Sequence, residues 1–226
     1  MPQSRVTLSF DNGPTPGITD HVLDVLKEHG VRATFFVVGE KLRSPEARAL
    51  VQRAHAEGHW IGGHSMTHGL PLGDRSEPDV AEREIGDVNR LLGDLAHKDR
   101  LFRPNGRAKV GQHLLSELAR DYLIENRGTL VLWTHIPRDR GVPPDLWVTD
   151  AQLASSETEW PLLVLHDRPS GHDLPAGSMT FLNRYLKWAR DADIKIVQDI
   201  PDSCIPIRRG EVRMSLHPYV TPAKVE

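Results

Sequence analysis

The alternating run Val6-Thr7-Leu8-Ser9-Phe10 delivers a carboxylate, Asp11, straight into Asn12-Gly13-Pro14. A strand followed at once by turn residues cannot continue its ladder, so Asp11 is expected at the carboxyl edge of a sheet, where parallel α/β folds place their chemistry. Taken alone, Asp11 and Asn12 read as an Asx-turn before Pro14. Three later strand ends also finish in chemically capable residues: His64 with His68, Arg103, and His166. His64 and His68 are four apart, a spacing that on a helical turn lets both rings converge on one ion. Among twelve histidines such a pair can arise by chance. A metal site is favoured by its place just beyond Gly62 and Gly63, which allow close backbone approach, at a strand end that matches the position of Asp11.

The elements that must position these residues alternate along the chain. Ile18, Val22, Val25 and Leu26 recur at helical spacing up to Gly30, and residues 33–38 read as a buried strand. Ser44-Pro45-Glu46 is a cap with proline at the first helical position, for a helix closed by Gly58. Residues 59–63 form the next strand, and a helix is expected over residues 78–96. After the short strand Leu101-Phe102-Arg103, a helix over residues 110–121 would turn Leu114, Leu115 and Leu118 inward. Residues 130–133 and 162–165 are apolar strands, and Ser178 is expected to cap a helix carrying Met179, Leu182, Leu186 and Ala189 before a last strand, residues 194–197. A series of about seven βα units demands a parallel sheet with right-handed crossovers, and a closed or nearly closed barrel suits that count better than an open sheet.

A chain of 226 residues, 38% hydrophobic, can bury one sizeable core. The expected organisation is a single domain over residues 1–200 with an extension, residues 201–226. The net charge of −3 and the scattered basic residues exclude a nucleic-acid stripe. Cys204, the single cysteine, excludes an intrachain disulfide and a cysteine-based zinc cluster. No apolar run has the length of a signal peptide core or a membrane span, so the expected location is cytoplasmic, without a membrane partner. Oligomeric state has no signature in the sequence.

In these residues and their order the chain resembles the polysaccharide deacetylases of carbohydrate esterase family 4, the NodB-homology domain. The family's first motif, T-F-D-D-G-P in its usual form, is similar to Ser9-Phe10-Asp11-Asn12-Gly13-Pro14, and its second, H-[ST]-x-x-H, matches His64-Ser65-Met66-Thr67-His68. The third resembles Arg103-Pro104-Asn105-Gly106. The fourth, an aspartate in a D-W context after a strand ending in tryptophan, is met in part between Trp133 and Asp139, with Arg140 where the tryptophan is expected. The fifth, L-x-L-x-H or a near variant, is similar to Leu162-Leu163-Val164-Leu165-His166.

The resemblance spans residues 5–200 and implies a deformed (β/α)7-type barrel. It also implies hydrolysis, assisted by zinc or another divalent ion, of an acetyl amide or ester on a carbohydrate. Carried over, it makes Asp11 the general base, His64 and His68 ligands of the ion, and His166 the acid for the leaving group. Arg103 would orient Asp11 and keep it ionised, and Asp139 would pair with His166. Asn12 stands where the family carries a metal-binding carboxylate, which implies an ion held weakly or not at all. Two other classes stay open beside this one: a metal-independent amidohydrolase acting on a small amide, and a sugar-binding protein without turnover. Sugar clefts carry aromatic platforms, and of Trp60, Trp133, Trp147 and Trp160 the sequence favours Trp147 and Trp160, flanked by proline and acidic residues.

Overall fold

The computed structural model describes residues 4–141, 143–171 and 173–222. Parallel strands form its centre: β1 (Arg5–Asp11), β2 (Thr34–Val37), β3 (Trp60–Gly63), β4 (Leu101–Phe102), β5 (Thr129–Leu130), β6 (Leu162–His166) and β7 (Lys195–Val197). Every residue of β1 after Arg5 is buried, as a strand covered on both faces requires. β1 pairs in parallel with β2 on one side and β6 on the other, and its first residues pair with β7. From β2 the ladder continues in parallel through β3 and β4 to β5. β5 and β6 do not pair as strands. An isolated bridge, His135 to Leu163, and the Thr134 hydroxyl bonded to Leu162 O at 3.0 Å link the two sides there. This is a single-domain α/β barrel, nearly closed as the strand count suggested and deformed as the family resemblance implied.

Helices α1 (Ile18–Glu28) and α2 (Pro45–Ala56) form where the periodicity places them. The Ser44 hydroxyl accepts from Ala47 N, so the cap ahead of Pro45 satisfies one of the free amides of the first turn. The helix expected over residues 78–96 is shorter and irregular. A widened π-turn, Glu82–Gly86, runs into α3 (Asp87–Leu92), which stops at Gly93, where φ is 52°. The helix expected over residues 110–121 starts later. A 3-10 turn, Gln112–Leu114, comes first, then Ser116 caps α4 (Glu117–Glu125), and in that frame Leu118 is 43% exposed rather than inward.

After α5 (Leu146–Glu157), a second correction concerns Ser178. It lies inside a 3-10 turn, Gly177–Phe181, ahead of α6 (Leu182–Asp191), and its hydroxyl donates to the carbonyl of Asp139 instead of capping the helix. Residues beyond 200 add two antiparallel strands to the same sheet, β8 (Ile207–Arg208) beside β5 and β9 (Glu211–Val212) beside β8. They bury Cys204, Ile205 and Ile207, and Cys204 O accepts from Leu132 N at 2.8 Å. Among the described residues no helix is long and apolar enough to cross a membrane.

Candidate active site

Parallel register brings the chemically capable strand ends to one edge. Asp11 stands level with Phe36 on β2 and with His166 on β6. Beyond the paired residues, His64 N bonds to Val37 O at 2.8 Å and Arg103 N to Gly63 O at 2.9 Å, so His64 and Arg103 leave the same edge. The glycines before His64 are needed for close packing. A Cβ on Gly62 would stand 2.8 Å from the Phe36 ring, and one on Gly63 2.8 Å from the Val88 side chain.

Arg103 has no exposed surface. Its Nη1 donates to Asp11 Oδ1 at 2.8 Å and to Ser9 Oγ at 2.7 Å, and its face lies 4.0 Å from the Phe36 ring. Burial alone would raise the Asp11 carboxyl, but the charge of Arg103 leads the opposing effects and holds it below the usual carboxylate range.

His64 and His68 do approach each other, with ring centroids 5.0 Å apart, but not along a helix. Both sit in a loop after β3 in which Ser65 and His68 take positive φ, 61° and 53°. The His64 Nδ1–H donates to Arg103 O at 2.8 Å, which leaves the Nε2 lone pair directed into the site, 3.6 Å from Asp11 Oδ2. Burial pushes His64 down to about 4 and also lowers His68, so both rings are shifted toward the neutral form.

The Asn12 amide donates to His68 Nε2 at 2.7 Å. Two neutral imidazoles and one amide oxygen can bind a divalent ion, which makes the donor set chemically suitable. It brings no negative charge, and the ion would displace the bond between Asn12 and His68. Among the described residues no cluster of three or more His, Cys, Asp or Glu side chains is placed to hold a metal.

Asp139 and His166 meet across the barrel mouth. His166 Nδ1–H donates to Asp139 Oδ2 at 2.9 Å, and His166 N donates to the same oxygen at 2.7 Å. Burial pulls the imidazole down, yet Asp139, and behind it Asp11, more than offset this and raise it above the usual histidine value. Asp11, Asn12, His64, His68, Asp139 and His166 all line one cleft of about 550 Å³, with Arg103 directly beneath Asp11.

The aromatic expectations need correction. Trp147 is fully buried, its indole N–H bonded to Ser178 O at 2.9 Å, and Trp160 bonds Thr7 Oγ1 at 3.0 Å near the start of β1, at the opposite end of that strand from Asp11. Trp60 packs on His97 with ring centroids 4.7 Å apart. Trp133 is the tryptophan that lines the cleft.

One residue escaped the sequence reading. Glu84 is buried and accepts from Met66 N and Thr67 N, both at 3.0 Å, from Thr67 Oγ1 at 2.8 Å and from Arg75 at 2.7 Å. Burial would raise its carboxyl, and these bonds hold it below the usual value instead. It thereby pins the loop between His64 and His68. The signal was there: Glu84 interrupts an apolar stripe, with Val80 four residues before and Val88 four after, both buried.

The polysaccharide deacetylase family model matches residues 1–119. The chitooligosaccharide deacetylase of Rhizobium leguminosarum bv. phaseoli is 31% identical over 199 residues, covering 86% of this chain and 81% of that protein. The chitooligosaccharide deacetylase of Rhizobium leguminosarum bv. trifolii is 43% identical over a shorter match, 89 residues, which is 39% of either chain. Among solved structures, a family 4 acetyl xylan esterase from Clostridium thermocellum in complex with a cobalt ion superposes with a TM-score of 0.67 at 25% identity, covering 85% of this chain and 87% of that one.

Replacing Glu84 with alanine leaves the buried Met66 amide and the Thr67 amide without their acceptor and takes from Arg75 one of its two carboxylate partners, Glu77 being the other. The expected loss in urea unfolding is about 2–4 kcal/mol. A loss below about 1 kcal/mol would mean that the loop holds itself.

Proposed function

Because the chain belongs to the polysaccharide deacetylase family, we propose that it hydrolyses acetyl groups from an acetylated carbohydrate in the cleft between Asp11 and His166. The observation that carries this reading is the opposed tuning of two level residues on neighbouring strands, Asp11 shifted toward its ionised form by Arg103 and His166 toward its protonated form by Asp139. That is the arrangement a base and an acid need when they serve one substrate from two sides.

Asp11 takes a proton from the attacking water as its oxygen bonds to the acetyl carbon. His166 then donates its proton to the leaving nitrogen or oxygen as that bond breaks, which gives acetate and a free amine or hydroxyl. Arg103 holds Asp11 in place and makes its neutral form unfavourable, and Asp139 fixes the His166 tautomer and orientation. His64 and His68, with Asn12 as a neutral third donor, would hold a divalent ion, which when bound polarises the acetyl carbonyl and acidifies the water. The relative with bound cobalt and the tautomer set at His64 both support this assignment. Trp133 offers a sugar ring an apolar face within the cleft. Residues 1–200 carry every group in this reading, and β8 and β9 extend the sheet beyond β5.

The direct test is acetate release from N-acetylated chitooligosaccharides with added divalent ion. His166→Ala is expected to lower kcat about 10²–10⁴-fold with the fold intact, and retained turnover in that variant removes His166 from the chemistry.

The alkaline limb of the pH profile should lie above the ordinary histidine value, because activity needs His166 protonated and Asp139 raises its pKa. Asp139→Asn takes away that charge, so the alkaline limb of kcat/KM is expected to move to lower pH. An unmoved limb assigns it to another group.

Asn12→Asp supplies the missing negative donor. Calorimetric titration with zinc should show tighter binding in this variant, together with faster acetate release. If neither changes, Asn12 does not face the ion.

A further inference from the structure

Four arginines line the cleft, Arg107, Arg138, Arg140 and Arg168, against two carboxylates, Asp11 and Asp139. Both carboxylates are already engaged, by Arg103 and by His166. Two of the arginines are also accounted for, Arg107 by an ion pair with Asp74 and Arg138 by Asp150 at 2.7 Å. Arg140 and Arg168 differ. Among the described residues neither forms an ion pair with a carboxylate, and Arg168 Nε is buried with no hydrogen-bond partner.

Burial and the neighbouring positive charge of Arg140 both weaken the hold of Arg168 on its proton, with Asp139 opposing them. Two like charges side by side, one with a desolvated N–H left unbonded, are unfavourable unless something in the cleft compensates. The chain as a whole carries a net charge of −3, so this positive wall is a local feature rather than a general property of the surface. It also stands at the point where the family motif is broken, since Arg140 replaces the aromatic residue expected after Asp139.

We propose that Arg140 and Arg168 form a receptor for an anionic substituent of the acetylated sugar, which makes a carboxylate- or phosphate-bearing saccharide the preferred substrate over a neutral one. The planar guanidinium fork matches the paired oxygens of either group, and an oxyanion in the cleft would pair with both guanidinium groups and offset their repulsion. The site adjoins the proposed acid, because Arg168 lies two residues beyond His166 and Arg140 follows Asp139 directly. The inference rests on the carbohydrate reading above.

The test compares three N-acetylated oligosaccharides of equal length, one neutral, one bearing a C6 carboxylate and one bearing a C6 phosphate. Kd is measured by calorimetry and acetate release in parallel, at low and high salt. At least one anionic sugar is expected to bind tenfold or more tightly than the neutral one, with the advantage shrinking as salt rises, and the two anionic arms identify the group. In Arg140→Gln, an exposed position whose replacement leaves the core untouched, and in Arg168→Gln, the ratio should fall toward one. Equal Kd values for all three sugars, or a preference kept in both variants, overturns the receptor. Acetate released equally from all three would do so while leaving the hydrolytic reading intact. An anion preference in binding with no acetate released from any sugar would keep the receptor and overturn that reading.

Discussion

A guanidinium without exposed surface must find a partner for every N–H, and at Arg103 this requirement ties together much of the site. Asp11 and Ser9 on β1 take one nitrogen, at 2.8 and 2.7 Å, and the carbonyls of Leu132 and Val131 beyond β5 take the others, at 3.3 and 3.4 Å. Phe36 on β2 covers the planar face. Strands from opposite sides of the barrel are thus referred to a single buried charge. Removing one member of such a pair leaves the other uncompensated, at a cost of about 3–5 kcal/mol. The electrostatics that hold Asp11 ionised are therefore inseparable from the packing that holds the barrel mouth together.

The three cleft histidines show how one residue type takes different states from its neighbours. His64 donates to a backbone carbonyl and lies near both Arg103 and His68, so burial dominates and the ring stays neutral. His166 is also buried but donates to a carboxylate, which raises its pKa instead. A neutral imidazole presents a lone pair, whereas a protonated one offers only donors. The hydrogen bond at Nδ1, to a carbonyl for His64 and to a carboxylate for His166, thus goes with opposite shifts of the two rings. Asn12 adds to this, since its amide hydrogen bonds to a lone pair of His68 without altering the charge of the site.

The deformation of the barrel matters to the cleft. β5 is two residues long and does not pair with β6. The chain between them, instead of continuing the sheet, crosses the mouth and brings Trp133, Ile136, Asp139 and Arg140 to the cleft wall. The Asp139 carboxylate is anchored there by His166 and its carbonyl by Ser178, so the crossing segment is held where it borders the cleft. An interrupted sheet thereby makes room for the groups that wall the cleft.

The strand ends at Asp11, His64, Arg103 and His166, the stripe of α1 and the cap at Ser44 were legible in the sequence, because each is recorded by residues a few positions apart. Alternation shows which strand faces are covered, helical periodicity shows which stripe is apolar, and a serine before a proline shows where a helix begins. Other features depend on residues that only the fold brings together. The flanking residues favoured Trp147 over Trp133 as a platform, yet Trp147 is sealed against Ser178 and Trp133 lines the cleft. Ser178 has the composition of a cap but bonds Asp139, 39 residues away. The His64–His68 spacing suggested a helix, whereas the loop takes its shape from Glu84, whose carboxylate bonds the Met66 and Thr67 amides. Local sequence constrains which conformations a segment can adopt and which face it must cover, but the hydrogen-bonding partner of a buried polar group is chosen by long-range packing, and that choice moves the Asp11 carboxyl down and the His64 and His166 rings in opposite directions.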